Sequence, residues 1–266
     1  MNVEKDIPYE VDYNTLGKWR KFGSILFIIT MFCPIIFVIF EIFSIFEIPN
    51  YLQIIYIISL LLYYVVNIYT EIFLSPDVEW KRREGLIDNS FGSNLLEKNV
   101  KGYYSNDKIS YGIYKMAINY WENCFFSLNI SKEKTNKIII KNLILLVIVV
   151  FFAYYGFKNN KLGVQISQLL LSPLFLLELA YHLKFKSNLQ KVHNEFKHLF
   201  SKIKDENIVK DEKIKGEMLL ICINYEVSLA YNKSSSIDSK IYEKLNEKLT
   251  KEWEEIKKRY LNIENN

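Results

Sequence analysis

The sequence predicts an all-α membrane protein: four transmembrane helices in two hairpins, a cytosolic helical insert between the hairpins and a cytosolic C-terminal helical bundle after them. Three observations predict it. Four apolar segments run from about Phe22 to Phe40, Tyr51 to Phe73, Ile138 to Phe157 and Leu162 to Tyr181, joined in pairs by short linkers. Each is close to the roughly 20 residues a helix needs to cross a hydrocarbon core about 30 Å thick. Lys and Arg collect in the segments that would share one side of the bilayer, and those segments carry apolar residues at helical spacing.

The first 21 residues form an N-terminal segment with Lys18, Arg20 and Lys21 beside the first span. Glu4, Asp6, Glu10 and Asp12, and an apolar run too long for a signal peptide, predict an uncleaved span. Residues 22–74 make the first hairpin, whose loop from Ser44 to Asn50 has no Lys or Arg. The insert, 75–137, has ten, the second hairpin loop has only Lys158 and Lys161, and the chain after His182 has seventeen. The positive-inside rule then places both termini and the insert in the cytosol of a multi-pass protein of the bacterial inner membrane.

Polar residues within a span are costly, so their positions carry information. Ser59, Tyr63, Asn67 and Glu71 recur every four residues in the second span, and Gln165, Gln168 and Ser172 share a face of the fourth. These stripes either line a water-filled path in a homo-oligomer or hold packed helices together by hydrogen bonds. Pro34 and Pro173 fall inside the first and fourth spans and predict kinks there. Tyrosines at the span ends fit an interfacial belt.

In the insert, Lys81, Arg82 and Arg83 form a basic cluster below the second span. It suits a phosphate-bearing ligand or anionic lipid. Asp88-Asn-Ser90 before Phe91-Gly92 reads as a turn in which Gly92 takes a positive φ. From Ser110 to Leu128 an aromatic amphipathic helix carries Ile113, Ala117, Tyr120, Cys124 and Leu128 on one face, with Asn119, Glu122 and Asn123. It would lie on the membrane surface or cap the tail bundle.

The second hairpin, 138–181, leads into the tail, 182–266. Phe185, Leu189, Val192, Phe196, Leu199 and Ile203 alternate at spacings of four and three, a heptad seam on one long helix that packs against a neighbour. Further helices are expected at about 212–231, with Ile214, Met218, Ile221 and Tyr225 on one face, and at about 239–261, with Leu245, Leu249, Trp253, Ile256 and Tyr260 inward.

Composition excludes several classes. A net charge of +4 does not point to a nucleic-acid polymer as partner. Cys33, Cys124 and Cys222 lie far apart and fit a reducing compartment without a disulfide framework. His182, His193 and His198 are not at metal-ligand spacing, and there is no phosphate-cradling loop, dinucleotide fingerprint or nucleophile elbow. The expectation is a protein that is not an enzyme, with no catalytic residue, metal or cofactor.

Two patches carry a family resemblance. Lys81 to Leu95, with Asp88 and Phe91, is a basic amphipathic stretch leading to an acid and a short hydrophobic run. Ile223 to Tyr231, the break at Asn232, then Asp238, Ile241-Tyr242, Leu245 and Glu252 give helix, polar break and helix with a later acid. In these patches, and in its layout, the chain resembles the SMODS-associating four-transmembrane effectors of bacterial anti-phage systems. The Gly102-Tyr-Tyr-Ser-Asn106 and Asn119-Tyr-Trp-Glu-Asn123 runs have no counterpart in that pattern. The resemblance implies a pore-forming effector of abortive infection, answering a cyclic nucleotide second messenger from a cognate nucleotidyltransferase. The alternative is a membrane scaffold or sensor subunit that recruits a soluble partner through its tail.

Overall fold

A computed structural model describes residues 8–42, 50–98, 103, 104, 106–156, 174–203, 211–230 and 239–261. All regular structure among them is helical. The elements are α1 (Glu10–Ile42), α2 (Asn50–Ile68), a π-helical turn (Tyr69–Leu74), α3 (Ser75–Phe91), α4 (Ile113–Gly156), α5 (Leu174–Lys202), α6 (Glu212–Ala230) and α7 (Ser239–Leu261). The chain divides into two units. A hairpin unit comprises Glu10–Glu79 and Ile138–Leu179, and a bundle unit comprises Met1–Tyr9, Trp80–Lys137 and Ala180–Asn266.

In the hairpin unit α1 packs on α2 and the π turn. Their contact face buries Leu16, Leu26 and Phe37 of α1 with Ser59, Val66 and Thr70 of the partner helix. Gly23 lets the two backbones approach: a Cβ there would sit 3.3 Å from the Val66 side chain. Ring contacts extend the seam, Trp19 with Tyr69 at 5.3 Å and Phe27 with Tyr63 at 5.6 Å. The opposite surfaces are apolar and exposed: Ile25, Ile28 and Phe32 on α1, Ile54, Ile57, Leu61 and Val65 on α2, and Ile140, Leu143 and Val147 on α4. Among the described residues one helix, Tyr51–Phe91, is long and apolar enough to cross a membrane by length and composition.

α1 continues through Pro34 as one helix. The π turn has a local cause of stability. Widening the helix frees carbonyls, and the Thr70 hydroxyl donates to those of Val66 (2.5 Å) and Asn67 (3.2 Å).

The bundle unit is organised by Trp121, fully buried at the middle of its part of α4. Phe200 stacks on it at 5.0 Å, Trp253 meets it edge-on at 5.4 Å and Tyr260 at 5.7 Å. Each such ring pair adds about 0.5–1.5 kcal/mol to the burial of the rings. Leu86, Ile118, Leu189, Phe196 and Met218 complete a core drawn from α3, α4, α5 and α6.

Two expectations change here. The aromatic helix expected at Ser110–Leu128, on the membrane surface or against the tail bundle, packs with the tail helices at the centre of the bundle, and it is the start of a 44-residue helix instead of a separate one. The residues linking it to the apolar segment, 129–137, contain no Gly or Pro, and Thr135 bonds back to the Ser131 carbonyl at 2.8 Å. Likewise the α5 seam from Phe185 to Ile203 is buried within this one chain. It faces Trp121 and Cys124 of α4, where the Cys124 thiol points at the Leu189 carbonyl (3.5 Å). It is therefore covered without a second subunit.

Candidate functional site

The bundle unit holds a buried polar node assembled from distant parts of the sequence. One Arg82 nitrogen (Nη2) donates to both carboxylate oxygens of Glu226 at 2.8 Å, and Arg83 Nε donates to Oε2 at 2.8 Å. The Arg82 and Glu226 side chains are 11% and 18% exposed, so the pair is shielded from water. Burial alone would raise the Glu226 carboxyl, but the Arg82 charge and the hydrogen bonds from Arg82 and Arg83 prevail and hold it below its ordinary value. Removing either sign leaves a desolvated charge behind.

Tyrosines enclose this node. Tyr120 hydrogen-bonds Glu226, its ring lies 5.7 Å from that of Tyr225, and the Tyr225 hydroxyl reaches Ser127 Oγ at 3.3 Å. Tyr103 meets Tyr104 edge-on at 4.8 Å. Burial pushes the phenols of Tyr103, Tyr104, Tyr120 and Tyr225 upward, so they remain protonated.

Beside it lies an amide knot. Asn106 Nδ2 donates to Asn119 Oδ1 (2.9 Å) and Glu122 Oε2 (2.8 Å), while Asn119 Nδ2 donates to Asn89 Oδ1 (2.9 Å) and Ser90 Oγ (3.1 Å). The end of α3 is fixed as well. Gly92, at φ 68°, donates its N–H to the Asp88 carbonyl at 2.8 Å, the αL helix cap expected of glycine. The Asp88 carboxylate then accepts from Ser93 Oγ and from the N–H groups of Leu95 and Leu96 at 2.7–2.9 Å.

A cleft of about 300 Å³ opens over the aromatic core, lined by Trp121, His193, Lys197, Glu252, Arg259 and Tyr260 among others. Trp121 Nε1 donates to His193 Nδ1 at 3.2 Å, which places the imidazole proton on Nε2. Burial, then the charges of Lys132 and Lys197, lowers the His193 pKa to about 4.

The basic cluster thus divides. Arg82 and Arg83 meet Glu226, whereas Lys81 is exposed. The polar stripe expected from Ser59 to Glu71 also divides. Ser59 is buried, Tyr63 is half-buried, Asn67 is exposed, and Glu71 pairs with Arg20 Nε at 3.0 Å. Gln165, Gln168 and Ser172 lie outside the described residues. Sequence reading missed Glu226 and His193 as participants. Asn119 and Glu122 stood out as polar residues on an otherwise apolar helix, and Asn89 and Ser90 as part of a polar run before Gly92; these are the local signals for the knot. Among the described residues no three His, Cys, Asp or Glu side chains group to hold a metal ion. Comparison of this chain with models of protein families, with curated proteins and with solved structures gives no match.

Proposed function

We propose that this protein is a four-span effector of the bacterial inner membrane, with both termini cytosolic, that acts in anti-phage defence. It assembles with copies of itself and permeabilises the bilayer when a cyclic nucleotide, or a partner signal, reaches its bundle unit. One observation carries the reading. The helix with the span-like stretch at Tyr51–Phe73 continues, through a π turn, into α3, and α3 carries Arg82 and Arg83. A phosphate, like the Glu226 carboxylate, matches the guanidinium fork and so can compete for it. An anionic ligand that takes Arg82 and Arg83 from Glu226 frees α6 from α3, and strain at α3 reaches the span along one helix. The apolar surfaces of α1 and α4, and the charge partition of the sequence, support the remaining spans.

The test is membrane potential and dye entry in bacteria expressing the full chain, with and without a cyclic-nucleotide synthase. Depolarisation only with the synthase is expected. Glu226→Gln, which weakens the internal competitor, is expected to leak without it. Intact membranes in every case, with the protein present in the inner membrane, would overturn the reading in favour of a scaffold.

A further inference from the structure

α6 is apolar on two faces. One face, with Met218, Ile221, Cys222 and Tyr225, is buried in the bundle. The other carries Gly216, Leu220, Ile223, Val227 and Ala230, and every one of them is exposed. Leu220, Ile223 and Val227 are 57%, 48% and 46% exposed. The spacings are four, three, four and three, a heptad seam without a charged member. A contiguous apolar helix face left exposed marks an interaction surface, and among the described residues nothing covers this one. The seam buried on α5 is a separate one, already satisfied inside the chain.

We infer that this face of α6 pairs with α6 of a second copy, antiparallel, about a two-fold axis at Ile223. Three arguments select that occupant. The stretches of this unit outside the described residues, 1–7, 99–102, 105, 204–210, 231–238 and 262–266, are short and mostly polar. None supplies apolar side chains along a seam of about 21 Å, the rise of a helix over that stretch. The seam is also self-complementary. Small residues stand at both ends and large ones between, so antiparallel pairing sets Gly216 against Ala230 and Leu220 against Val227. Charge fixes the direction. Parallel pairing brings exposed Glu212 beside exposed Glu217 of the other copy along both edges, whereas antiparallel pairing about Ile223 sets Glu217 level with Leu229 and far from Glu212 of the other copy.

One helix pair buries less than the roughly 800 Å² per partner typical of stable soluble complexes. The pairing therefore rests on the membrane reading above: two chains held in one bilayer meet at a raised effective concentration.

Cysteine cross-linking of the full chain in native membranes tests it. Ile223→Cys is expected to give a disulfide homodimer under mild oxidation. Leu220→Cys and Val227→Cys should not do so singly, but should when differently tagged copies of the two are co-expressed. Wild type, whose Cys124 and Cys222 are buried, and Lys251→Cys, exposed on α7, serve as controls. Absence of the Ile223→Cys dimer, an equal yield from a control, an adduct only with a different protein, or labelling of Ile223→Cys by a reactive lipid instead would each overturn the pairing. Leakage measured on the same cells separates the two ideas. A dimer without leakage keeps the pairing and sinks the pore, and leakage without a dimer does the reverse.

Discussion

Arg82 on α3 and Glu226 on α6 stand 144 residues apart in the chain and meet at 2.8 Å through both carboxylate oxygens, with Arg83 as a third member. No local pattern announces such a contact. Its energetics follow from burial. Glu226→Ala strands the Arg82 guanidinium and is expected to cost about 3–5 kcal/mol, while Arg82→Met with Glu226→Leu recovers most of that loss. Urea unfolding of the full chain in detergent, followed by tryptophan fluorescence, measures both. A double variant as unstable as Glu226→Ala alone would refute the pairing as the source. The sign with pH is fixed by the depressed Glu226 carboxyl. Its contribution is complete above the ordinary carboxylate range and is lost as pH falls through the lowered value.

The α3 terminus predicts a graded pair of effects. Asp88→Ala removes the acceptor for two backbone N–H groups and the Ser93 hydroxyl, at a cost of about 1–3 kcal/mol. Asp88→Asn keeps an acceptor oxygen and should cost less. Gly92→Ala forces a Cβ to within 3.0 Å of the Tyr111 ring at a positive φ, and is expected to cost about 1–3 kcal/mol. Thermal unfolding ranks the three, and Asp88→Asn falling below Asp88→Ala would contradict the assignment.

Legibility in the sequence followed the range of the interaction. Helices set by local pattern and turn residues were readable: those expected at about 212–231 and 239–261 are Glu212–Ala230 and Ser239–Leu261. The positive φ of Gly92 was readable, but Asp88–Ser90, expected as a turn before it, are the last turn of α3, which Gly92 caps. Continuity was harder. α4 runs through 129–137 because nothing there breaks a helix, whereas the expected elements end at Leu128 and begin again at Ile138. The stripe from Ser59 to Glu71 was misleading in geometry. Steps of four residues drift by about 40° each on a helix of 3.6 residues per turn, which carries Asn67 off the face that buries Ser59. The wider π turn then rotates Glu71 back towards Arg20.

That drift separates two variants that a single stripe would equate. Asn67 is exposed from the hairpin, so under the proposed pore function Asn67→Leu is expected to lower signal-dependent leakage at unchanged expression. Glu71 instead accepts from Arg20. Glu71→Leu should destabilise the hairpin by about 1.5–3 kcal/mol and reduce the amount of protein, with Arg20→Leu restoring it. Dye entry normalised to membrane-inserted protein checks both. Equal normalised leakage for Asn67→Leu and wild type would remove Asn67 from the path.

His193 supplies the last prediction. Its imidazole is held neutral, with a pKa of about 4, by burial and by the charges of Lys132 and Lys197, and it accepts from Trp121 in that state. An unfolded histidine protonates near 6.5. Between pH 6.5 and about 4 the unfolded chain binds a proton that the folded chain refuses, so stability falls across that window as pH drops. The loss amounts to about 2 kcal/mol once partial solvent access is allowed for. His193→Gln offers an acceptor to Trp121 that does not titrate in this range. Its stability should therefore change less than that of wild type between pH 6.5 and 4.5. Denaturant midpoints read from tryptophan fluorescence at several pH values measure the difference. Parallel midpoints for the two proteins would refute His193 as the source of acid sensitivity in this window, and Glu226 would not replace it, because that carboxylate loses its contribution only at lower pH.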